Sequence, residues 1–251
     1  MVQIGQIYDF LNRLAPVGTA EPWDNVGLLA GSLDWNAAGV MVCLDMTREV
    51  IAEARREKCE LIVSHHPLIF EPIKNMTYTG NERLYDLVRR RVSVICMHTN
   101  LDIAECGVND TLAAMLGLRQ TGLCGDNATL RRGVISKMTF ADFVRFVKGK
   151  LGYNGLRYSG DADVMRVAVG GGACGDMWKD ALDAGCDTFV VGEMKYHEFL
   201  DAREAGLNVV EAGHFASERP AVFALAKRLE QEFPALKIVV SKKESDIIRF
   251  A

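Results

Sequence analysis

Short apolar runs of strand length recur along this chain, each followed by a stretch with helical spacing. That alternation constrains the fold more than any other feature. In the first half GVMVCLD (39–45), ELIVSHH (60–66) and VSVICMH (92–98) are separated by EVIAEARREK and ERLYDLVRRR, whose apolar residues fall on one helical face. In the second half RVAVGGG (166–172), TFVVGEM (188–194) and LNVVEAGH (207–214) are separated by DMWKDALDAG and KYHEFLDAREAG. Uninterrupted apolar runs suit strands buried on both faces, so the order predicts mostly parallel sheets flanked by helices, an α/β fold. Thr47 and Thr139 stand where a helix N-cap is needed. A further helix is expected from Ile4 to Leu14, stopping before Pro16.

The halves match element for element. CELIVSHH corresponds to CDTFVVGE, and VSVICMHTNLD to LNVVEAGHFASE. Each closing segment ends in a histidine followed four residues later by an acid, His98 with Asp102 and His214 with Glu218. We therefore expect an internal pseudo-repeat of two similar α/β domains, 1–125 and 126–251. The C-terminal helix and strand can pack back on the first domain. The polar, glycine-containing stretch RQTGLCGDNAT (119–129) is the expected linker.

In open α/β sheets, ligands collect beyond the carboxyl ends of the strands. This chain puts its unusual polar residues there: Asp45, His65, His66, His98, Asp102, His214 and Glu218. Four of the five histidines are among them. Adjacent strand residues face opposite ways, so His65 and His66 can serve one site only where the strand has stopped, and Pro67 favours that stop. Imidazoles with carboxylates suit zinc, iron, manganese or nickel, whereas calcium prefers oxygen alone. Two histidines and a carboxylate make a mononuclear site, and three histidines with two carboxylates suffice for two ions that share bridging carboxylates. His197, inside the helical pattern KYHEFL, has no such placement and is read as structural unless it shuttles protons. GGGACGD (170–176) is read as a tight strand-to-helix turn, with an anion cradle as the competing role.

Composition excludes little else. The net charge of −4 gives no reason to expect nucleic acid as a partner. The seven cysteines form no C-x-x-C pair and read as free thiols in a reducing compartment. MVQIGQIYDFLNRLAP lacks the basic and apolar blocks of a signal peptide, and no run is long enough for a membrane span, so a cytoplasmic location is expected.

Together WDNVGLLAG (23–31), VCLDMT (42–47), SHHPLIF (64–70), HTNLD (98–102), GGGACGD, GEMKYH (192–197) and AGHFASE (212–218) resemble the Nif-three-like family of dinuclear metal proteins, whose bacterial members are known as GTP cyclohydrolase I type 2 homologues. The resemblance implies a metal site between the two domains, with two divalent metal ions held by His65, His66, Asp102, His214 and Glu218 and with Glu218 bridging. It implies His98 beside them, orienting Asp102 or a bound substrate, and a toroidal homohexamer. Longer members carry an inserted middle domain for which 251 residues leave no room. A metal-dependent hydrolase of the GTP cyclohydrolase type is the leading expectation, with a small-molecule substrate, a nucleotide, attacked by a metal-activated water and with His98 or His197 carrying protons. A dimetal phosphoesterase and a non-enzymatic metal carrier or regulatory protein remain as alternatives.

Overall fold

The computed structural model describes residues 1–250. The chain divides into two compact units, the first made of Met1–Glu105 and Val222–Ser245, the second of Cys106–Ala221 and the residues from Asp246 onward. The division at Glu105 falls ahead of the polar stretch read as a linker. That stretch is instead a β-hairpin: Arg119–Cys124 pairs antiparallel with the long strand Asn127–Met138, with Cys124 opposite Asn127. A two-residue loop of this kind needs positive φ, which Gly125 supplies at +60°. Polarity at an edge strand was mistaken for the polarity of a linker.

The first unit is built on a five-stranded sheet in the order Lys237–Val240, Gly39–Cys43, Leu61–Ser64, Ser93–Cys96, Gly27–Ala30. The first four run parallel and Gly27–Ala30 closes the edge antiparallel to Ser93–Cys96. Every residue of the three inner strands is buried, as their unbroken apolar runs require. On one face Met41, Ile62 and Val94 pack with Val50, Ile51 and Ala54 of helix Arg48–Arg56 and Leu87 of helix Glu82–Arg89. Thr47 caps the first of these helices, its hydroxyl accepting from the Val50 amide at 3.3 Å. Glu53, buried on the same helix, accepts from the Ser241 hydroxyl at 2.6 Å and so ties down the end of the C-terminal strand.

The second unit holds a six-stranded sheet in the order Arg119–Cys124, Asn127–Met138, Val164–Gly170, Thr188–Val191, Asn208–Glu211, Arg157–Ser159. Three successive strands are parallel, and the strand that precedes them in sequence returns antiparallel at the far edge. Gly27–Ala30 stands in the same relation to the parallel strands of the first unit. Successive residues alternate between two cores, as a period of two demands. Val167, Val190 and Val210 meet Phe143 and Val147 of helix Phe140–Leu151, while Ala168, Phe189 and Val209 meet Trp178 and Ala202 from helices Trp178–Asp183 and Tyr196–Glu204. Full burial of Phe143 or Phe189 contributes roughly 1.5–3 kcal/mol each. Thr139 caps its helix through the Asp142 amide at 3.2 Å. No helix among the described residues is long and apolar enough to cross a membrane.

Candidate metal centre

The inner strand Leu61–Ser64 of the first unit stops one residue before His65, and Ser64 turns its hydroxyl to donate to the His66 carbonyl at 2.8 Å. The two imidazoles are therefore released from strand alternation, with ring centroids 5.0 Å apart. The next strand, Ser93–Cys96, delivers His98 just past its own end, 5.2 Å from the His65 ring and 5.7 Å from the His66 ring. One potential donor atom from each of His65, His66 and His98 lies within 4.8 Å of the others.

All three rings are anchored in the same way. His65 Nδ1 lies 2.8 Å from the Met97 carbonyl oxygen, His66 Nδ1 2.8 Å from an Asp45 carboxylate oxygen, and His98 Nδ1 2.8 Å from an Asp24 carboxylate oxygen. An Nδ1–H donated to oxygen fixes the tautomer in which Nε2 carries the lone pair that a cation needs. Asp102, on the short helix Thr99–Ile103, sets a carboxylate oxygen 3.6 Å from His65 Nε2. His65 is 3% exposed, so this nitrogen is shielded from bulk water.

The surroundings of His98 hold its pKa below the ordinary histidine value. Burial is the largest influence lowering its pKa and the neighbouring His65 adds to it, outweighing the pull of Asp24 in the other direction. Burial alone raises the Asp24 carboxyl, but hydrogen bonds from the Thr99 hydroxyl and His98 overcome that and hold it below the ordinary carboxylate range. Thr99 donates to Asp24 through both its amide, at 3.0 Å, and its hydroxyl, at 2.5 Å. Asp24 is thus a fixed anion that orients His98. It lies inside WDNVGLLAG, but an acid that closes a turn just ahead of the edge strand Gly27–Ala30 gives no periodic signal.

The second unit presents His214 and Glu218 on the first turns of helix His214–Glu232. Four residues apart, they share a helix face, and His214 Nε2 lies 3.2 Å from Glu218 Oε2. His214 Nδ1 lies 3.3 Å from Glu193 Oε1, a second acid that the sequence reading passed over. Glu218 is buried at 3% exposure beside the triple glycine. There Gly171 donates its amide to Asn109 Oδ1 at 2.6 Å and Gly172 to Ser217 Oγ at 3.1 Å, while the Ser217 hydroxyl donates to the His214 carbonyl at 2.8 Å. GGGACGD is a turn that braces the His214–Glu218 helix, with these amides committed to side chains. Gly172 has φ +65°, and any Cβ there would come within 3.0 Å of the Glu218 carboxylate. His197 is exposed on helix Tyr196–Glu204 and joins no group of potential metal donors among the described residues.

These donors fit a divalent transition metal: imidazoles whose far nitrogens are tethered to oxygen, together with the carboxylates of Asp102 and Glu218. Fold and site together define an α/β protein whose strand ends gather histidine and carboxylate groups able to hold a metal ion. The chain belongs to the Duf34/NIF3 (NGG1p interacting factor 3) family, whose model matches residues 2–247. It is 30% identical to a GTP cyclohydrolase 1 type 2 homolog of Clostridium perfringens, over 99% of this chain and 100% of that one. It is 34% identical to the protein of the same description from Campylobacter jejuni, over 96% and 98%. The crystal structure of a Staphylococcus aureus hypothetical protein superposes with a TM-score of 0.94 at 27% identity, covering 100% of this chain and 99% of that one.

Proposed function

We propose that His65, His66 and Asp102 of the first unit and His214 and Glu218 of the second would together hold two divalent metal ions, zinc, iron, manganese or nickel. We infer that the protein is a metal-dependent hydrolase of the GTP cyclohydrolase type. The observation that supports this most is the common anchoring of three converging imidazoles, each with Nδ1 on an oxygen acceptor, which makes Nε2 the basic nitrogen. Structural histidines rarely need a shared tautomer.

A divalent ion in such a site supplies Lewis acidity and brings the pKa of its water toward neutrality. The residues of the chain do the rest. Asp45, Asp24 and Glu193 hold the imidazoles in register, so the donor set is organised before substrate arrives. His98, its ring 5.2 Å from that of His65 and its pKa lowered by burial, accepts a proton and returns it to the leaving nitrogen. His197, at the solvent, passes protons outward. The cyclohydrolase assignment draws on the description its relatives carry, so the substrate is taken to be a nucleotide whose imidazole ring is opened with release of formate. The working assembly is proposed to be a homohexamer, which light scattering on the purified protein checks by mass.

The test is formate release from GTP by the metal-loaded protein. Formate well above a His214→Ala control supports the reading, and none above it refutes the cyclohydrolase. Phosphate release in place of formate would establish the phosphoesterase instead. Transfer of metal to an acceptor without turnover would establish the carrier.

A further inference from the structure

Beside His214 the second unit contains a cavity of about 490 Å³, lined wholly by its own residues. That volume lies within the range of small-molecule sites. Its walls differ sharply in chemistry. One is aromatic and apolar: Tyr153 and Phe250 meet edge to face with centroids 5.3 Å apart, beside Ile248. Phe250 lies over Gly155 and Tyr153 over Gly213, each so close that any side chain at the glycine would collide with the ring. The aromatic wall therefore depends on those two glycines, and Gly213 is the residue that hands the chain on to His214.

The other wall is charged, and its balance decides what can enter. Asp176, Glu193, Glu198 and Glu211 line the cavity against only Arg157 and Lys195. Arg157 is committed to Glu211, to which it donates through Nε at 2.7 Å and again through Nη2, and to the Met194 carbonyl at 2.9 Å. Lys195 Nζ lies 3.5 Å from Glu198. Both lining cations are thus matched by their own acids; Asp176 and Glu193 remain in excess of the cations, with Glu193 Oε1 also facing His214 Nδ1 at 3.3 Å. Tyr153 senses the same field, since burial and then the charges of Asp246, Glu211 and Glu193 push its hydroxyl above the usual range. A polyanion entering here meets net repulsion. A flat ring rich in N–H donors meets acceptors on one side and aromatic faces on the other.

We propose that this cavity binds the base end of the substrate, a purine-like heterocycle carrying adjacent N–H donors, and leaves the phosphate end outside. The inference rests on the hydrolase reading for the identity of the substrate but not for the site. Adjacent ring and amino N–H groups, as in guanine, can donate in parallel to a carboxylate, so removal of the amino group is expected to weaken binding about tenfold.

Isothermal titration of the purified protein with guanosine, inosine and GTP tests it. Guanosine is expected to bind at least as tightly as GTP, and inosine about tenfold more weakly. Phe250→Ala, at a half-exposed position, is expected to weaken guanosine severalfold with an unchanged melting temperature. Combining Asp176→Asn with Glu193→Gln should bring the guanosine-to-inosine ratio close to one. GTP binding more than tenfold tighter than guanosine would overturn the proposal in favour of a phosphate subsite. So would the absence of guanosine binding, or guanosine binding that Phe250→Ala leaves unmoved. Guanosine bound with the expected pattern but no formate from GTP would refute the hydrolase and keep the cavity. Formate release with a KM indifferent to Phe250→Ala would do the reverse.

Discussion

Replacing Gly172 with alanine is the most economical disturbance of the proposed centre, because it adds one methyl group and touches no donor. The new Cβ would lie within 3.0 Å of the Glu218 carboxylate and 3.4 Å from His214 Nε2. Ordinary carbon–oxygen contact needs more room, so the carboxylate must retreat by roughly 1 Å. Metal ligands tolerate displacements of only about 0.2 Å. Glu218 is buried on the braced first turns of its helix, so it cannot follow the ion by rotating into solvent. Positive φ at residue 172 adds roughly 1–2 kcal/mol of backbone strain for any L side chain. Gly172→Ala is therefore expected to lower unfolding free energy by about that amount and metal affinity by at least about tenfold. Urea unfolding separates the first effect, and competition with a chromophoric chelator measures the second. A variant that loses stability but retains wild-type metal affinity would refute the assignment of Glu218 as a ligand.

Asp45→Asn keeps the shape of the residue but weakens the anchor on His66 Nδ1, and should lower metal affinity about 10–100-fold without loss of fold, read by the same competition. His98 has a pKa below its ordinary 6.5, so the unfolded chain takes up its proton first as pH falls. The metal-free protein should therefore lose stability from about pH 6.5 downward until the folded ring also protonates, and His98→Gln should flatten that slope in a pH series of urea midpoints. Asp24 behaves with the opposite sign of charge. Its carboxyl is held below 3.8, so its contribution is complete above that value and is lost only as pH falls through the lower folded one. Glu53→Ala removes the buried acceptor of the Ser241 hydroxyl and should cost about 1–3 kcal/mol in urea unfolding, with metal affinity unchanged.

Strands buried on both faces announce themselves as unbroken apolar runs, which is why Gly39–Cys43, Leu61–Ser64 and Thr188–Val191 were legible from residues alone. The placement of His65, His66, His98 and His214 beyond strand ends was legible for the same reason, because the end of an apolar run marks the end of a strand. What escaped was everything that depends on the chain returning from a distance. Asp24 reaches His98 across 74 positions, and Asn109 reaches the Gly171 amide across 62. No local period encodes such contacts. The hairpin at Cys124–Asn127 was missed because an exposed edge strand carries the same polar composition as a loop. Residues 222–245 group with the first unit although they follow the second in sequence.

The central proposal is that His65, His66, Asp102, His214 and Glu218 are metal ligands, and counting ions per chain tests it most directly. Protein purified without added metal and analysed by mass spectrometry should carry about two divalent ions. His66→Ala, in the first unit, and His214→Ala, in the second, should each lower that number while the circular dichroism spectrum stays unchanged. An ion count that is unaffected by either substitution in the folded protein would contradict the account.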